Sequence, residues 1–383
     1  MSTLSTTYST PAHDAPRAPF LLDAGIVLTV FVLVGFSLVM VYSTTGIVAQ
    51  EKLGDTLYFV KRQAVAAVIG ILAMFLFSRI NIQSLQKISP YLFFACIALL
   101  AVTLIPGVGH RAGGAQRWIN LGLVRFQPGE LVKVMFIVFI AGFWARHETR
   151  LSEFSQGIVK PFFLVAVVAG LLLVQPDFGS AAVISLVTLG MALATGVRLR
   201  YIACGAVLLA LCMGTLVFLS PYRMQRIMSF LSPFSDVSGR GYQLIQSLIA
   251  VGTGQLTGVG LGDSQQKLFF LPAAHTDFIF AVVSEELGFI GGVVLLASFL
   301  VLLWRGLLIS SRLAENTFQF SLAVGLTLLI VAPALLNIGV VTGLLPTKGM
   351  VLPLVGYGGS SLVTCLMAVG MLLALKRHHQ EHA

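Results

Sequence analysis

Long apolar runs broken by short polar stretches set the pattern of this chain. A run of about 20 apolar residues is enough to cross a bilayer as a helix. The pattern predicts ten such helices, at 22–44, 63–78, 90–106, 129–146, 159–175, 179–197, 201–220, 277–304, 317–343 and 352–375. The fifth and sixth are separated only by Gln175-Pro176-Asp177-Phe178, a tight hairpin in which Pro176 enforces the break. One connection is long, 221–276, and it is rich in Gly and Ser and too polar to span. The expected fold class is an all-α integral membrane protein of about ten transmembrane helices. The expected division is a disordered tail at 1–19, a membrane domain at 20–376 and a short tail at 377–383.

Composition excludes a soluble domain. The chain is 57% hydrophobic and 10% charged, against about 25% charged in soluble proteins. Residues 1–19 are polar, with Arg17 as their single basic residue and no small-residue cleavage site after a short apolar core, so an uncleaved tail is expected. Cys96, Cys204, Cys212 and Cys365 all lie in apolar runs without CxxC spacing. They read as small core residues, with no disulfide and no metal site inferred.

The net charge of +9 is scattered between apolar runs. That fits membrane topology and an anionic lipid headgroup better than nucleic acid. With the long loop set aside, Lys and Arg number twelve inside and eight outside when the N-terminus is cytoplasmic. Both termini are therefore expected inside and the 221–276 loop outside. The outer basic residues have two readings, ordinary headgroup contact or a site for an anionic substrate.

Candidate chemistry gathers beside Gly- and Pro-containing loops. Asp277 stands where a polar loop becomes an apolar helix, after His275 and Thr276. It is either a carboxylate on the helix dipole with Thr276 as cap, or a functional acid. Ala281, Ser284 and Gly288 continue its face with small side chains, as beside a cavity or a close neighbour. Deeper in the same helix, Glu285 and Glu286 lie roughly 12 to 14 Å below Asp277. Carboxylates at that depth need pairing or water, and Lys133 is a possible partner.

The fourth helix opens Gln127-Pro128-Gly129-Glu130, and Glu130 and Lys133 share a face and can pair. Before it, Arg117-Trp118 reads as an interfacial anchor, while Arg117 could equally hold phosphate. The run Gly258-Val259-Gly260-Leu261-Gly262 is neither a P-loop nor a dinucleotide fingerprint, and signals only close backbone approach. Near the C-terminus, Pro353 and the glycines of Gly356-Tyr357-Gly358-Gly359-Ser360-Ser361 should break the start of the last helix in a protein-buried or hydrated place. Lys348 beside them is a candidate outer cation or a snorkelling side chain.

These segments together resemble the SEDS family, the FtsW and RodA proteins of bacterial division and elongation. The resemblance runs from the first helix to the last. Its markers are Arg117-Trp118, Gln127-Pro128 with Glu130 and Lys133, Gln175-Pro176-Asp177, Gly241-Tyr242-Gln243, His275-Thr276-Asp277-Phe278, Glu285-Glu286-Leu287-Gly288 and Tyr357-Gly358-Gly359-Ser360-Ser361. Pro346-Thr347-Lys348-Gly349, and Ala274 before His275, resemble the FtsW branch. Three positions depart from the family: Ala273 stands where Glu is usual, and Gly129 and Gly356 where Ser is usual. Asp277 is thus the one acid at that loop–helix junction.

The resemblance implies a peptidoglycan glycosyltransferase that polymerises lipid II into β-1,4 glycan strands at the division septum of the cytoplasmic membrane. It implies a class B, FtsI-like penicillin-binding transpeptidase as partner, with FtsQ, FtsL, FtsB and FtsN around it. It puts the essential carboxylate at Asp277. The expected substrate-binding set is Lys348, Lys267, Arg117, Glu130, Lys133, Asp177, Arg223, Arg226, Arg240, Gln243, His275, Thr276, Ser360 and Ser361. A divalent cation such as Mg²⁺ could share the pyrophosphate charge. The rival classes are a lipid II flippase, for which intramembrane Glu130, Lys133, Glu285 and Glu286 would be the evidence, and a scaffold that only recruits the transpeptidase. No paired repeat of the transporter kind is visible.

Overall fold

The computed structural model describes residues 23–382 except 108, 113–114, 121–124, 236–240, 269 and 348. The expected disordered tail 1–19 lies outside the described residues. Twelve α-helices account for most of the rest. They are α1 (Ala24–Leu53), α2 (Tyr58–Ser78), α3 (Ile82–Leu104), α4 (Pro128–Arg146), α5 (Lys160–Val174), α6 (Phe178–Ala194), α7 (Leu199–Phe218), α8 (Pro221–Leu231), α9 (Tyr242–Thr253), α10 (Ile279–Arg312), α11 (Thr317–Val341) and α12 (Gly359–His382). Among the described residues nine helical segments are long and apolar enough to cross a membrane, and α6 is a shorter apolar helix. Together these ten coincide with the ten apolar runs. The last helix continues to His382, through the stretch read as a tail.

Helices α4, α11 and α12 form the centre, each with most of its apolar span buried in protein. Helix α7 buries only 11% of its span and faces lipid almost all round. At one end of the bundle, Asp23 at the start of α1 pairs with Arg305 near the end of α10 at 2.9 Å and with Lys376 near the end of α12 at 3.2 Å. The first and last spans therefore begin and end on the same face.

Two regions differ from the sequence pattern. Between α3 and α4 the chain forms a three-stranded antiparallel sheet, β1 (Gly109–Ala112), β2 (Ala115–Asn120) and β3 (Arg125–Phe126). The Arg117-Trp118 anchor sits on β2, with Trp118 opposite His110. The larger difference concerns 221–276, which is not simply an outer loop. It holds the amphipathic α8, then α9, whose Leu244, Ile245, Ser247 and Ala250 are buried.

Beyond α9 the chain enters a break in α10. At Gly288, φ is 68° and ψ is −166°, a conformation open essentially to glycine alone. The helix is thus a short limb, 279–287, and a long limb, 289–312. The chain turns sharply between them: Phe280 lies within 3.4 Å of a Cβ built on Gly292, a residue that a continuous helix would carry about 18 Å away. The break comes after Glu285 and Glu286, so both stay about two turns from Asp277, at the foot of the short limb, and it is the single continuous span 277–304 that is corrected.

A helix break frees backbone groups that cannot be left bare at membrane depth. The entering loop takes them up. Val259 and Gly260 donate to the carbonyls of Glu285 and Glu286 at 3.0 and 3.1 Å, and Phe289 and Ile290 donate to the carbonyls of Gln255 and Leu256 at 2.8 and 3.2 Å. The glycines explain the fit. A Cβ on Gly254 would overlap the Ser284 carbonyl, one on Gly258 the Glu286 carbonyl, and one on Gly288 the Gly258 amide. Gly288, on the small face, thus meets a close backbone neighbour.

Gly288→Ala should therefore destabilise the protein by about 1–3 kcal/mol or more, from the strained backbone alone, read as a lower unfolding temperature in detergent. Gly292→Ala, which meets only ordinary contacts, should change it far less.

Candidate active site

The approach to Asp277 is a tight turn. Ala273 takes a left-handed φ of 58°. Its carbonyl accepts from the amides of Thr276 and Phe278 at 3.1 and 3.3 Å, and from Thr276 Oγ1 at 3.3 Å. Helix α10 then starts at Ile279 with Phe278 at the cap position and no side-chain cap. Neither Thr276 nor Asp277 caps the helix, which corrects that reading.

Asp277 is held from its backbone side by Asn337 of α11. The Asn337 amide donates to the Asp277 carbonyl and to the Met350 carbonyl, both at 2.7 Å. This fastens the acid to the irregular segment before α12. Gly349 in that segment lies against the carboxylate: a Cβ there would be 3.1 Å from Oδ2.

That segment runs buried from Leu352 to Gly356 as a turn rather than a helix, with the Val355 and Gly356 amides donating to the Leu352 carbonyl at 3.3 and 2.8 Å, as the Pro and Gly pattern implied. Its polar groups are met by side chains from the helices around it. Ser37 donates to the Val355 carbonyl at 2.8 Å, Gln63 to the Gly356 carbonyl at 3.3 Å, and the Tyr357 amide to the His275 carbonyl at 2.9 Å. The His275 ring packs against both Phe59 and Tyr357, with centroids 5.7 and 5.8 Å away, in a cluster of three rings. Burial pulls its pKa below the usual histidine value, so it stays neutral at neutral pH.

Two arginines face the acid. Arg226 on α8 donates to the Thr347 carbonyl at 3.4 Å, which brings its guanidinium to the Asp277 side. Arg117 on β2 reaches Asp177 at 3.7 Å, and its buried Nε has no hydrogen-bond partner. Asp177 caps α6 by accepting from Ser180 N and Oγ at 3.1 and 2.8 Å, and also accepts from Gln127 at 3.3 Å. Gln127 in turn donates its amide to Ser360 Oγ at 3.0 Å. Burial pushes the Asp277 carboxyl up to about 6, against the downward pull of Arg226, the Thr276 hydrogen bond and Arg117.

The structure sorts the expected residues. Asp277, Thr276, His275, Arg226, Arg117, Asp177 and Ser360 converge. Arg223 stands over the Phe178 ring at 4.9 Å, next to Asp177. Ser361, one residue on from Ser360, is half-buried in the first turn of α12. Glu130 and Lys133 form their own pair at 2.8 Å on α4. The suggested contact of Lys133 with Glu285 or Glu286 is corrected: Glu285 accepts from Ser264 and from the Gln265 amide at 3.0 Å, and Glu286 pairs with Lys267 at 3.0 Å. Gln243 is half-buried on the first turn of α9. Lys348 and Arg240 lie outside the described residues.

Two departures from the family pattern have local consequences. A Cβ on Gly129 would be 3.5 Å from Asp177 Oδ2, where Ser180 supplies the hydroxyl instead. A Cβ on Gly356 would lie 2.6 Å from Val351 and 3.0 Å from the Thr276 carbonyl, so this chain fills that space with Val351. Residue-by-residue reading missed Asn337, Gln63 and Ser37. A lone amide inside an apolar run was the available signal for the first two.

Fold and site together define a class: a multi-pass membrane protein whose half-buried acid is framed by arginines at a broken helix. The chain belongs to the FtsW/RodA/SpoVE family of cell cycle proteins, whose family model matches residues 24–381. It is 42% identical over 356 residues to a probable peptidoglycan glycosyltransferase FtsW of Coxiella burnetii, covering 92% of this chain and 95% of that one. It is 41% identical over 357 residues to the stage V sporulation protein E of Bacillus subtilis, covering 93% and 97%. A solved chain from a peptidoglycan synthase complex that coordinates polymerization and crosslinking superposes with a TM-score of 0.73 at 30% identity, covering 94% of this chain and 98% of that chain. With its apolar spans, the chain is a multi-pass protein of the inner membrane.

Asn337→Leu should leave two buried carbonyls unpaired, at about 1–3 kcal/mol each. A lowered unfolding temperature, with polymerising activity lost in the protein that stays folded, is the expected result.

Proposed function

We propose that this chain is a peptidoglycan glycosyltransferase that polymerises lipid II, with Asp277 as general base for the acceptor hydroxyl. The observation that carries the reading is a half-buried carboxyl with a pKa raised to about 6, facing Arg226 and Arg117. A general base works best when its pKa lies near the operating pH. In the reaction, the acceptor 4-hydroxyl loses its proton to Asp277 and its oxygen bonds to the anomeric carbon of the donor sugar. The bond from that carbon to the pyrophosphate breaks, and undecaprenyl pyrophosphate leaves with the electron pair. Attack opposite the leaving group inverts the anomeric carbon and gives a β-1,4 link. Pyrophosphate is a good leaving group, so the second carboxylate that glycosidases use is not required. Its charge is met by Arg226, Arg117 and Arg223, and the unpartnered Nε of Arg117 is a donor suited to a phosphate oxygen.

Among the described residues no group of three or more His, Cys, Asp or Glu side chains is arranged to hold a metal ion. Asp177 is already engaged by Arg117, Gln127 and Ser180. A divalent cation such as Mg²⁺ would therefore be held chiefly by the pyrophosphate oxygens, and no step is routed through it. The reading includes a class B, FtsI-like transpeptidase as partner, action at the division septum, and FtsQ, FtsL, FtsB and FtsN as accompanying proteins. A solved relative that belongs to a polymerising and crosslinking complex supports the first of these.

The test is lipid II polymerisation by the protein co-purified with its transpeptidase, with penicillin present to block crosslinking. Wild type should make glycan strands and Asp277→Asn should make none, a loss of at least about 10²-fold. Normal strands from Asp277→Asn would place the base elsewhere, and a folded wild-type complex that makes none would favour the flippase or scaffold.

Asp277 also sets two pH dependences. The rate should fall as pH drops through about 6, where Asp277 takes up its proton. The folded-state pKa lies above the ordinary aspartate value of 3.8, so the fold holds that proton more tightly than the unfolded chain does. Stability contributed by this group is lost as pH rises toward 6. Asp277→Asn should accordingly unfold at a higher temperature than wild type at pH 7.

A further inference from the structure

The short limb of α10 carries Asp277 at its head, yet the break at Gly288 separates it from the long limb. Helices under about 12 residues are marginal by themselves. The limb's position therefore depends on ties at its two ends. At the head the tie is Asn337. At the foot stand Glu285 and Glu286, two carboxylates in a last turn where the helix dipole already concentrates negative charge.

Lys267 answers that charge. Its side chain is 4% exposed and that of Glu286 is 0% exposed. The ammonium has three partners: Glu286 Oε1 at 3.0 Å, Ser43 Oγ at 3.1 Å, and the Gly262 carbonyl. Ser43, on α1, also donates to Glu286 Oε1 at 2.5 Å. An ammonium group has three donors, so all three of Lys267 are occupied and none is left for a phosphate. Ser264, three residues earlier on the same loop, donates to Glu285 and accepts from the Lys267 amide at 3.3 Å. One cluster thus joins α1, the entering loop and the foot of the limb.

We propose that the buried Lys267–Glu286 pair, seated on Ser43, is a latch that positions Asp277 through the short limb of α10, and that Lys267 does not bind substrate. This rests on Asp277 as the base. Releasing the foot lets the limb turn about its axis or slide, which moves the carboxylate relative to Arg226 and Arg117. A misplacement of about 1 Å can cost about 10²-fold in rate.

The experiment is a double-mutant cycle in the complex with the transpeptidase: Lys267→Met, Glu286→Gln, and both. Each single variant should lower kcat for lipid II polymerisation by about 10- to 100-fold, with KM changed less than about twofold. The double variant should be no worse than the weaker single one, because the two residues act as one unit. The acid limb of the kcat–pH profile should move in each single variant, a change that loss of folded protein alone does not produce. Amide hydrogen exchange across 279–287 should rise in each single variant while that of α11 stays put.

A Lys267→Met enzyme with raised KM and unchanged kcat, beside a normal Glu286→Gln enzyme, would make Lys267 a substrate cation and overturn the latch. Unchanged kcat per folded molecule and an unmoved acid limb would overturn it too. The exchange measurement reads the limb directly, so unaltered exchange overturns the latch even if Asp277→Asn proves active and the base lies elsewhere. Should the single variants fail to fold, Ser43→Ala removes the seat without unpairing a charge, and the same kinetic and exchange criteria apply.

Discussion

Backbone that leaves the helix inside a membrane protein must find a partner for every amide and carbonyl, because hydrocarbon offers none. Most of this architecture follows from meeting that demand twice. At Gly288 the demand is met by the backbone of 255–260, laid edge to edge against the broken ends of α10. At 350–358 it is met largely by side chains, with Ser37, Gln63 and Asn337 reaching in from α1, α2 and α11. Asp277 lies against the second stretch, one short helical limb away from the first. An acid can stand there because the surroundings are already polar, while the protein around it keeps its carboxyl partly desolvated.

The two solutions impose different sequence requirements. Backbone-to-backbone matching needs close approach, so it needs glycines at 254, 258 and 288. Side-chain matching needs a polar residue at one depth on each neighbouring helix, with no restriction on the segment being served beyond its own bends. The first stretch is rigidly specified and the second distributed, which suits a clamp on the foot of the acid's limb and a shaped wall beside the acid itself.

Much of the fold was legible because hydrophobic runs of membrane length have few alternative uses. The α5–α6 hairpin, the Pro128 start of α4 and the Glu130–Lys133 pair followed from local rules and stand in the structure. The break in α10 was not legible. Gly288 sits at a helical spacing from Ala281 and Ser284, and glycine is common in membrane helices, so nothing local distinguishes a break from a packing glycine. Missing it hid the true partners of Glu285 and Glu286, which come from the loop that enters the break. The 221–276 segment was misjudged for a related reason, since polar composition does not reveal that a loop returns to serve a broken helix. Of the site, Asp277 was visible because a carboxylate at the edge of an apolar helix is costly to keep there. Ser37 was not, because a serine can satisfy its hydroxyl on its own helix. Arg226 stood among several outer cations, and only the tie to Thr347 singles it out.

The charged cluster at Asp23 has a temporal side. Its partners Arg305 and Lys376 lie 282 and 353 residues further along the chain. At roughly 5–20 residues per second, translation takes on the order of tens of seconds to supply them. Through that interval the newborn first helix carries an acid at its N-terminal end with neither cation to match it. The bundle is closed only when the final helix emerges from the ribosome and inserts, so a nascent chain released before that moment presents an open seam to the membrane's quality-control proteases.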